Sequence, residues 1–202
     1  MIRSSKKMLL AAALGALMAA PTGARASFIA DFQGTTPVGS NTGYNYSLRF
    51  ASNSGTEQLM AGDFVTLYDF NGFVGTTPQN PATAGLTVPA NFTATTQFLG
   101  VNPPFVAVPD SATVPNITFT YNGPTLTVNT AFMGFQVVST SSTTGSAFFS
   151  GQDTNAANGS TKLGNASGTI GPAAVPEPAS MALLGVGGLG LVGLLRRRKL
   201  AA

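Results

Sequence analysis

The sequence contains no cysteine, no histidine and no tryptophan. Without histidine or cysteine there can be no Ser-His-Asp triad, no cysteine nucleophile, no ordinary zinc site and no disulfide. The remaining hydrolytic route is a pair of carboxylates, as in glycosidases. On one strand, Asp63 and Asp69 would lie about 20 Å apart, beyond the ~5–9.5 Å that such chemistry uses. The sequence therefore predicts a protein that is not an enzyme and carries no cofactor.

Charge is also scarce, because charged residues make up 8% of the chain, with a formal net charge of +3. Most basic residues belong to the two ends: Arg3, Lys6, Lys7, Arg25, Arg196, Arg197, Arg198 and Lys199. Only Arg49 and Lys162 lie between these groups, against six acidic residues, so the central region has a net charge of −4. A nucleic-acid-binding surface needs clustered basic residues. We therefore expect no nucleic-acid partner.

Residues 1–26 have the three-part layout of a secretory signal peptide. A basic leader precedes the apolar run from Met8 to Ala20, which is too short for an ordinary membrane span. Ala24 and Ala26 then supply small residues at the positions that a signal peptidase reads, so that Ser27 would begin the mature chain. The pattern predicts export, with signal peptidase as a processing partner.

A second signal is predicted at residues 175–199. The sequence Val-Pro-Glu-Pro, with Pro176, Glu177 and Pro178, precedes an uncharged run from Met181 to Leu195. As a helix this run would be about 22 Å long, a thin transmembrane span if flanking residues extend it. The cluster Arg196, Arg197, Arg198 and Lys199 follows and is expected to stay cytoplasmic and to stop and orient the helix.

These three ordered elements resemble the PEP-CTERM sorting domain. The resemblance implies that an exosortase, a membrane-embedded transpeptidase, recognises Pro176, Glu177 and Pro178. The chain would cross the inner membrane, be held transiently by its C-terminal helix, and pass to the cell surface or extracellular matrix. The family occurs in bacteria that make exopolysaccharide, so extracellular polysaccharide is a further partner that the resemblance implies.

Residues 27–151 are predicted to form an all-β domain, an antiparallel β-sandwich or jelly roll. Alternating apolar and polar residues between Asn-Gly and Pro-rich turns are typical of half-buried strands. The predicted strands are Phe28 to Phe32, Tyr44 to Phe50, Asp63 to Phe70, Phe92 to Leu99, Asn116 to Tyr121, Thr125 to Val128, Phe132 to Val138 and Ser146 to Ser150. Residues 152–174 are predicted to be a flexible tether, although a last strand around Ser160 to Ile170 fits the pattern.

Two binding hypotheses concern this domain. Asp69 and Asn71 resemble the start of a calcium loop, but no acidic ligand follows before Asp110, so an Asn-Gly turn is the favoured interpretation and no metal site is predicted. The favoured function is that of a non-enzymatic surface or matrix protein. The alternative is a carbohydrate-binding module for the producer's exopolysaccharide, although Tyr44, Tyr46 and Tyr68 lie in core registers rather than on a sugar-stacking surface.

Overall fold

The computed structural model describes residues 28–52, 55–79 and 84–173. The predicted signal peptide, with Ala24, Ala26 and Ser27, and the predicted sorting signal at 175–199 lie outside these residues. The described residues form ten β-strands and no helix. The strands are β1 (Phe28–Val38), β2 (Asn41–Phe50), β3 (Glu57–Gln58), β4 (Phe64–Leu67), β5 (Leu86–Thr87), β6 (Phe92–Gln97), β7 (Asn116–Tyr121), β8 (Thr130–Ser139), β9 (Thr144–Asn155) and β10 (Lys162–Pro172).

The strands form two antiparallel sheets, which confirms the predicted all-β, antiparallel class. One sheet has the order β1-β2-β8-β5, and the other has the order β10-β9-β4-β7-β6, with β3 paired to β9. Tyr44, Tyr46 and Leu48 of the first sheet belong to the same buried cluster as Val65 and Phe119 of the second. The two sheets therefore enclose one core.

Aromatic rings join the sheets at the centre of this core. The ring of Phe92 lies 4.9 Å from that of Phe135 and 5.0 Å from that of Phe132, and Phe119 lies 5.0 Å from Phe135. All three pairs are edge-to-face, the geometry that the ring quadrupoles favour. With no disulfide in the chain, apolar packing of this kind is the main stabilising force.

The prediction that Asp63 to Phe70 is one half-buried strand is wrong. Strand β4 is only Phe64–Leu67 and is buried on both faces, because a loop covers its outer side. The Thr66 hydroxyl there donates to the carbonyl of Val101 (3.1 Å). Asp69 has a positive φ of 51°, which a continuing strand does not allow.

Thr125 to Val128 does not form the predicted strand. Within it, Leu126 makes one isolated bridge to Leu59. Four residues with Thr at alternate positions satisfy a local pattern, but no neighbouring strand is available along their length. Local alternation alone could not show this, since a strand requires a partner in space.

Most of the segment predicted as a tether is a strand, which agrees with the alternative interpretation of a last strand around Ser160 to Ile170. Strand β9 continues to Asn155, and β10 pairs with it in unbroken register from Lys162↔Thr154 to Pro172↔Thr144. The composition suggested a segment with little to bury, and the middle of β10 is indeed exposed. Backbone hydrogen bonding along an edge nevertheless forms a strand with few apolar side chains. The sandwich therefore extends to Ala173, whose N–H donates to the carbonyl of Thr143 (2.8 Å).

The two ends of the sandwich differ in their residues. We call one end the tail end, because β10 ends there and the chain leaves the domain. Strands β4 and β6 also end there, and β7 and β9 begin there. It comprises residues 68–73, 98–101, 140–145 and 170–173. The far end is the opposite one, with Asp63, Thr154 and Lys162, and with the segment around Val128 that precedes β8.

Candidate functional site

A loop crosses the outer face of the six-stranded sheet and forms a cleft beside β10. It runs from Phe98 to Pro109, and its Val101 carbonyl accepts hydrogen bonds from the hydroxyls of Thr66 and Tyr68 (3.1 and 2.8 Å). It then passes over Gly164, where a β-carbon would come within 2.6 Å of Pro103. Only glycine permits so close an approach, so this residue seats the loop on the edge strand.

The cleft between this loop, β10 and the start of β1 has a volume of about 590 Å³. Its lining is mixed, apolar with a few polar groups: Ile29, Phe105, Val106, Ala107, Phe149, Gly164, Asn165, Ala166 and Ser167. The Asn165 side chain is oriented so that its nitrogen donates to the carbonyls of Gly151 and Phe28 (3.0 and 3.2 Å), an orientation assigned from these bonds. Asn165 thereby ties β10 to β9 and to the start of β1.

Phe105 is the most unusual residue of the cleft. It is fully exposed and has a positive φ of 62°. A left-handed backbone at a bulky residue is strained, and exposing a phenylalanine ring to water is unfavourable. The sequence analysis did not single out Phe105. Its position directly after Pro103 and Pro104, outside any alternating pattern, could have indicated a phenylalanine that does not belong to the core.

The carboxylates Asp63 and Asp69 lie at opposite ends of β4 and have separate structural partners. Asp63 is buried and accepts hydrogen bonds from the Met60 N–H, the Thr154 hydroxyl and the Lys162 ammonium (2.8–3.0 Å). Asp69 Oδ1 accepts from the Ser111 N–H (2.9 Å). The two carboxylates are not brought together across a shared cleft, so the structure gives no paired arrangement of these two groups.

Asp69 and Asn71 adjoin in a turn rather than in a ligand loop. The Asn71 amide nitrogen donates to the Asp69 carbonyl (3.3 Å), so the amide is used within the turn. Burial raises the pKa of Asp69, the hydrogen bond from Ser111 lowers it, and the nearby charge of Asp110 raises it further. Over the described ranges, no group of three or more acidic side chains is placed to hold a metal ion.

Asn116 links the backbone of Asp69 to the carboxylate of Asp110 at the tail end. Its Oδ1 accepts from the Asp69 N–H (2.8 Å), and its Nδ2 donates to the Phe98 carbonyl (3.0 Å) and to Asp110 Oδ1 (2.8 Å). Asp110 Oδ2 accepts in turn from the Gly100 N–H (2.7 Å). This arrangement holds the loop ends in place and leaves the carboxylates engaged in structural bonds.

All four tyrosines are buried, which bears on sugar binding. Burial raises the pKa of Tyr44, Tyr46, Tyr68 and Tyr121. Each hydroxyl is hydrogen-bonded to the protein, for example Tyr46 to the Ile170 carbonyl (2.8 Å) and Tyr121 to the Pro124 carbonyl (2.6 Å). None of the four presents a ring face to solvent, so a stacking surface would have to come from phenylalanine.

Pro176, Glu177 and Pro178, with the following apolar run and the cluster Arg196 to Lys199, lie outside the described residues. Among residues 28–52, 55–79 and 84–173, which the structure describes, there is no helix long and apolar enough to cross a membrane.

Comparison with known proteins confirms the resemblance at the C-terminus. Residues 174–199 match the model of the PEP-CTERM protein-sorting motif. No curated protein and no solved structure matches the chain. The chain therefore carries a PEP-CTERM protein-sorting motif at residues 174–199, and this motif indicates export, processing by an exosortase and sorting to the cell surface.

Proposed function

We propose that the chain is a non-enzymatic protein of the cell surface or extracellular matrix, exported by its N-terminal signal peptide and held transiently in the membrane by its C-terminal segment. The observation that carries this proposal is the sorting motif at residues 174–199, which begins two residues after the last strand of the β-sandwich ends at Pro172. The domain is the cargo, and the terminal segments are its sorting signals.

The chemistry of the domain supports a structural role. The chain has no histidine or cysteine, and Asp63, Asp69 and Asp110 accept hydrogen bonds that hold turns and strands. Carboxylates that serve glycoside hydrolysis instead face each other across a cleft that admits the sugar. The buried residues of the sandwich thus have packing roles that fit a stable surface module.

The experiment replaces Pro176, Glu177 and Pro178 with alanine in the full chain and follows its size and location in the producing cell. Proline disfavours helical backbone at its own position and at the preceding residue, so replacing both prolines should remove the predicted break between the recognition site and the predicted helix. We expect the variant to stay membrane-bound at its unprocessed size, whereas the wild type reaches the surface. Unchanged processing and location would contradict the proposal.

A second function, carbohydrate binding, is favoured by the cleft beside β10. An exposed aromatic ring and hydrogen-bonding groups in one cleft are the usual composition of a sugar site, and Phe105, Asn165 and Ser167 all line this cleft. The ligand class would be the polysaccharide made by the producing cell.

Affinity electrophoresis of the full chain, in mild detergent with that polysaccharide in the gel, tests this function. Phe105→Ser should lose the retardation that the wild type shows. Met133→Ser is the matched control, because Met133 is also exposed (60%) but lies on β8 in the other sheet. Absence of retardation for the wild type, or equal retardation for both variants, would count against a sugar site at Phe105.

A further inference from the structure

We infer that the tail end of the sandwich is a lipid-contacting surface that rests on the membrane interface while the C-terminal segment is inserted. This inference rests on the proposed transient membrane hold and adds to it the face of the domain that meets the lipid. The surface consists of the exposed apolar side chains of Phe98, Leu99, Val101 and Ile170 at the tail end, and of Phe148, which adjoins it on β9.

The first argument is the length of chain between the domain and the apolar run. The folded domain is hydrogen-bonded up to Ala173, and the uncharged run begins at Met181. Eight residue steps reach no more than about 29 Å even when fully extended. The 11-residue strand β10 is itself about 36 Å long, so this connection is too short to carry the far end to the membrane.

The second argument is the continuity of the apolar surface. The Phe148 carbonyl accepts from the Tyr68 N–H (3.0 Å), and the Tyr68 hydroxyl donates to the Val101 carbonyl (2.8 Å). Phe148 and Ile170 lie on the same outer face, because Phe148 pairs with Gly168 and Ile170 with Ser146. Val101, Phe148 and Ile170 therefore lie near one another toward the β10 edge, and Phe98 and Leu99 continue the exposed apolar residues from the end of β6 at the same end of the sheet.

The third argument is charge. The two basic residues of the described region, Arg49 and Lys162, lie away from the tail end. The tail-end carboxylates Asp69 and Asp110 accept hydrogen bonds from backbone N–H groups. A surface of this composition would bind by burying apolar area, so zwitterionic lipid should suffice and added salt should change little.

The experiment uses the full chain in vesicles of phosphatidylcholine. Because the chain has no cysteine, one cysteine can carry a polarity-sensitive fluorophore without background labelling. Leu99→Cys reports the tail end and Val128→Cys the far end; the two residues are matched in exposure, at 63% and 65%. Neither belongs to the core, so both variants should fold.

We expect the label at Leu99→Cys to shift its emission to the blue and to be quenched several-fold more by nitroxide-bearing lipid than the label at Val128→Cys. Equal, water-like emission at both sites in chains that float with the vesicles would overturn the lipid-contacting surface alone. Chains that do not float with the vesicles would overturn the membrane hold and, with it, this inference.

Discussion

The two ends of the sandwich hold carboxylates in different ways, with Asp63 buried at the far end and Asp69 and Asp110 half-buried at the tail end. At the far end, Asp63 is paired with a cation, Lys162, 2.8 Å away and 99 residues distant in sequence. At the tail end, the Asp69 carboxylate accepts from the Ser111 N–H, and the Asp110 carboxylate accepts from the Gly100 N–H and the Asn116 amide, with no described basic residue in contact. An ion pair fixes one end, and neutral donors fix the other.

This difference has a functional consequence under the proposed membrane hold. Charges cost more free energy as water is removed from around them. The far end would remain in water, where the partly exposed Lys162 is solvated. The tail end, which would approach lipid, presents apolar side chains and keeps its carboxylates hydrogen-bonded. Three substitutions test the comparison, in order of decreasing effect.

The largest effect is expected for Lys162→Met. Removing the cation leaves the buried Asp63 carboxylate without its charge partner. Such a change costs about 3–5 kcal/mol in a wholly buried pair, and we expect about 2–3 kcal/mol here, because 33% of the Lys162 side chain is exposed. The free energy of unfolding from urea titration measures the loss.

The control for this substitution is Arg49→Met. Arg49 also pairs with an aspartate, Asp31, but both side chains are largely exposed (46% and 40%), so the loss should be below about 1 kcal/mol. Equal losses for the two variants would show that the far-end pair is no stronger than a surface pair. Adding Asp63→Asn to Lys162→Met should restore part of the stability, because the uncompensated charge is then gone.

Asn116→Ala should cost about 2 kcal/mol. The change removes the buried Asn116 amide and leaves the half-buried Asp69 N–H and Asp110 carboxylate without one partner each; an unpaired polar group costs about 1–3 kcal/mol when buried. Because Asn116 also donates to the Phe98 carbonyl, we expect faster amide hydrogen exchange at residues 98–101 and unchanged exchange at Asp63. Equal changes at both ends would show that the tail-end cluster does not act locally.

The smallest effect is expected for Asp69→Asn at neutral pH, within about 0.5 kcal/mol of the wild type. Asparagine accepts the Ser111 hydrogen bond and tolerates the positive φ of 51°. The variant should differ in its pH dependence, however. Burial raises the pKa of Asp69 above its unfolded value, so the native state binds more protons between the two pKa values and wild-type stability falls as pH rises through that window.

An asparagine side chain does not titrate, so the Asp69→Asn variant should lose less stability than the wild type as the pH rises through that window. Urea midpoints at several pH values measure this difference. Asp31→Asn, at the exposed pair, controls for the general effect of removing a negative charge. Parallel pH profiles for wild type and Asp69→Asn would contradict the prediction.

The sequence predicted several strands closely and others poorly, for physical reasons. The strand from Asn116 to Tyr121 was predicted with the observed bounds. Its apolar side chains alternate with polar ones because only one face of the strand lies against the core, and turn-forming residues mark its ends. Strand β1 continues six residues beyond the predicted Phe32, to Val38. The residues of this extension pair with β2 through their backbones, and backbone pairing leaves little trace in side-chain type.

The candidate cleft was less predictable than the strands. Asn165 and Ser167 were assigned to a tether, and Phe105 to a Pro-broken connection, so no local pattern placed them together. Their proximity arises because the loop crosses the outer face of the sheet and rests on Gly164. Contacts of this kind depend on sheet order, which local periodicity does not specify.

Some properties of this protein follow from the sequence by itself. The ordered elements of residues 174–199 are local and are sufficient to identify the sorting motif, and the absence of histidine and cysteine excludes whole classes of catalysis. Only the tertiary structure decided that the segment before the motif is an edge strand rather than a tether. Strand pairing depends on backbone partners far apart in the chain, and here those partners bring the folded domain to within a few residues of the sorting signal.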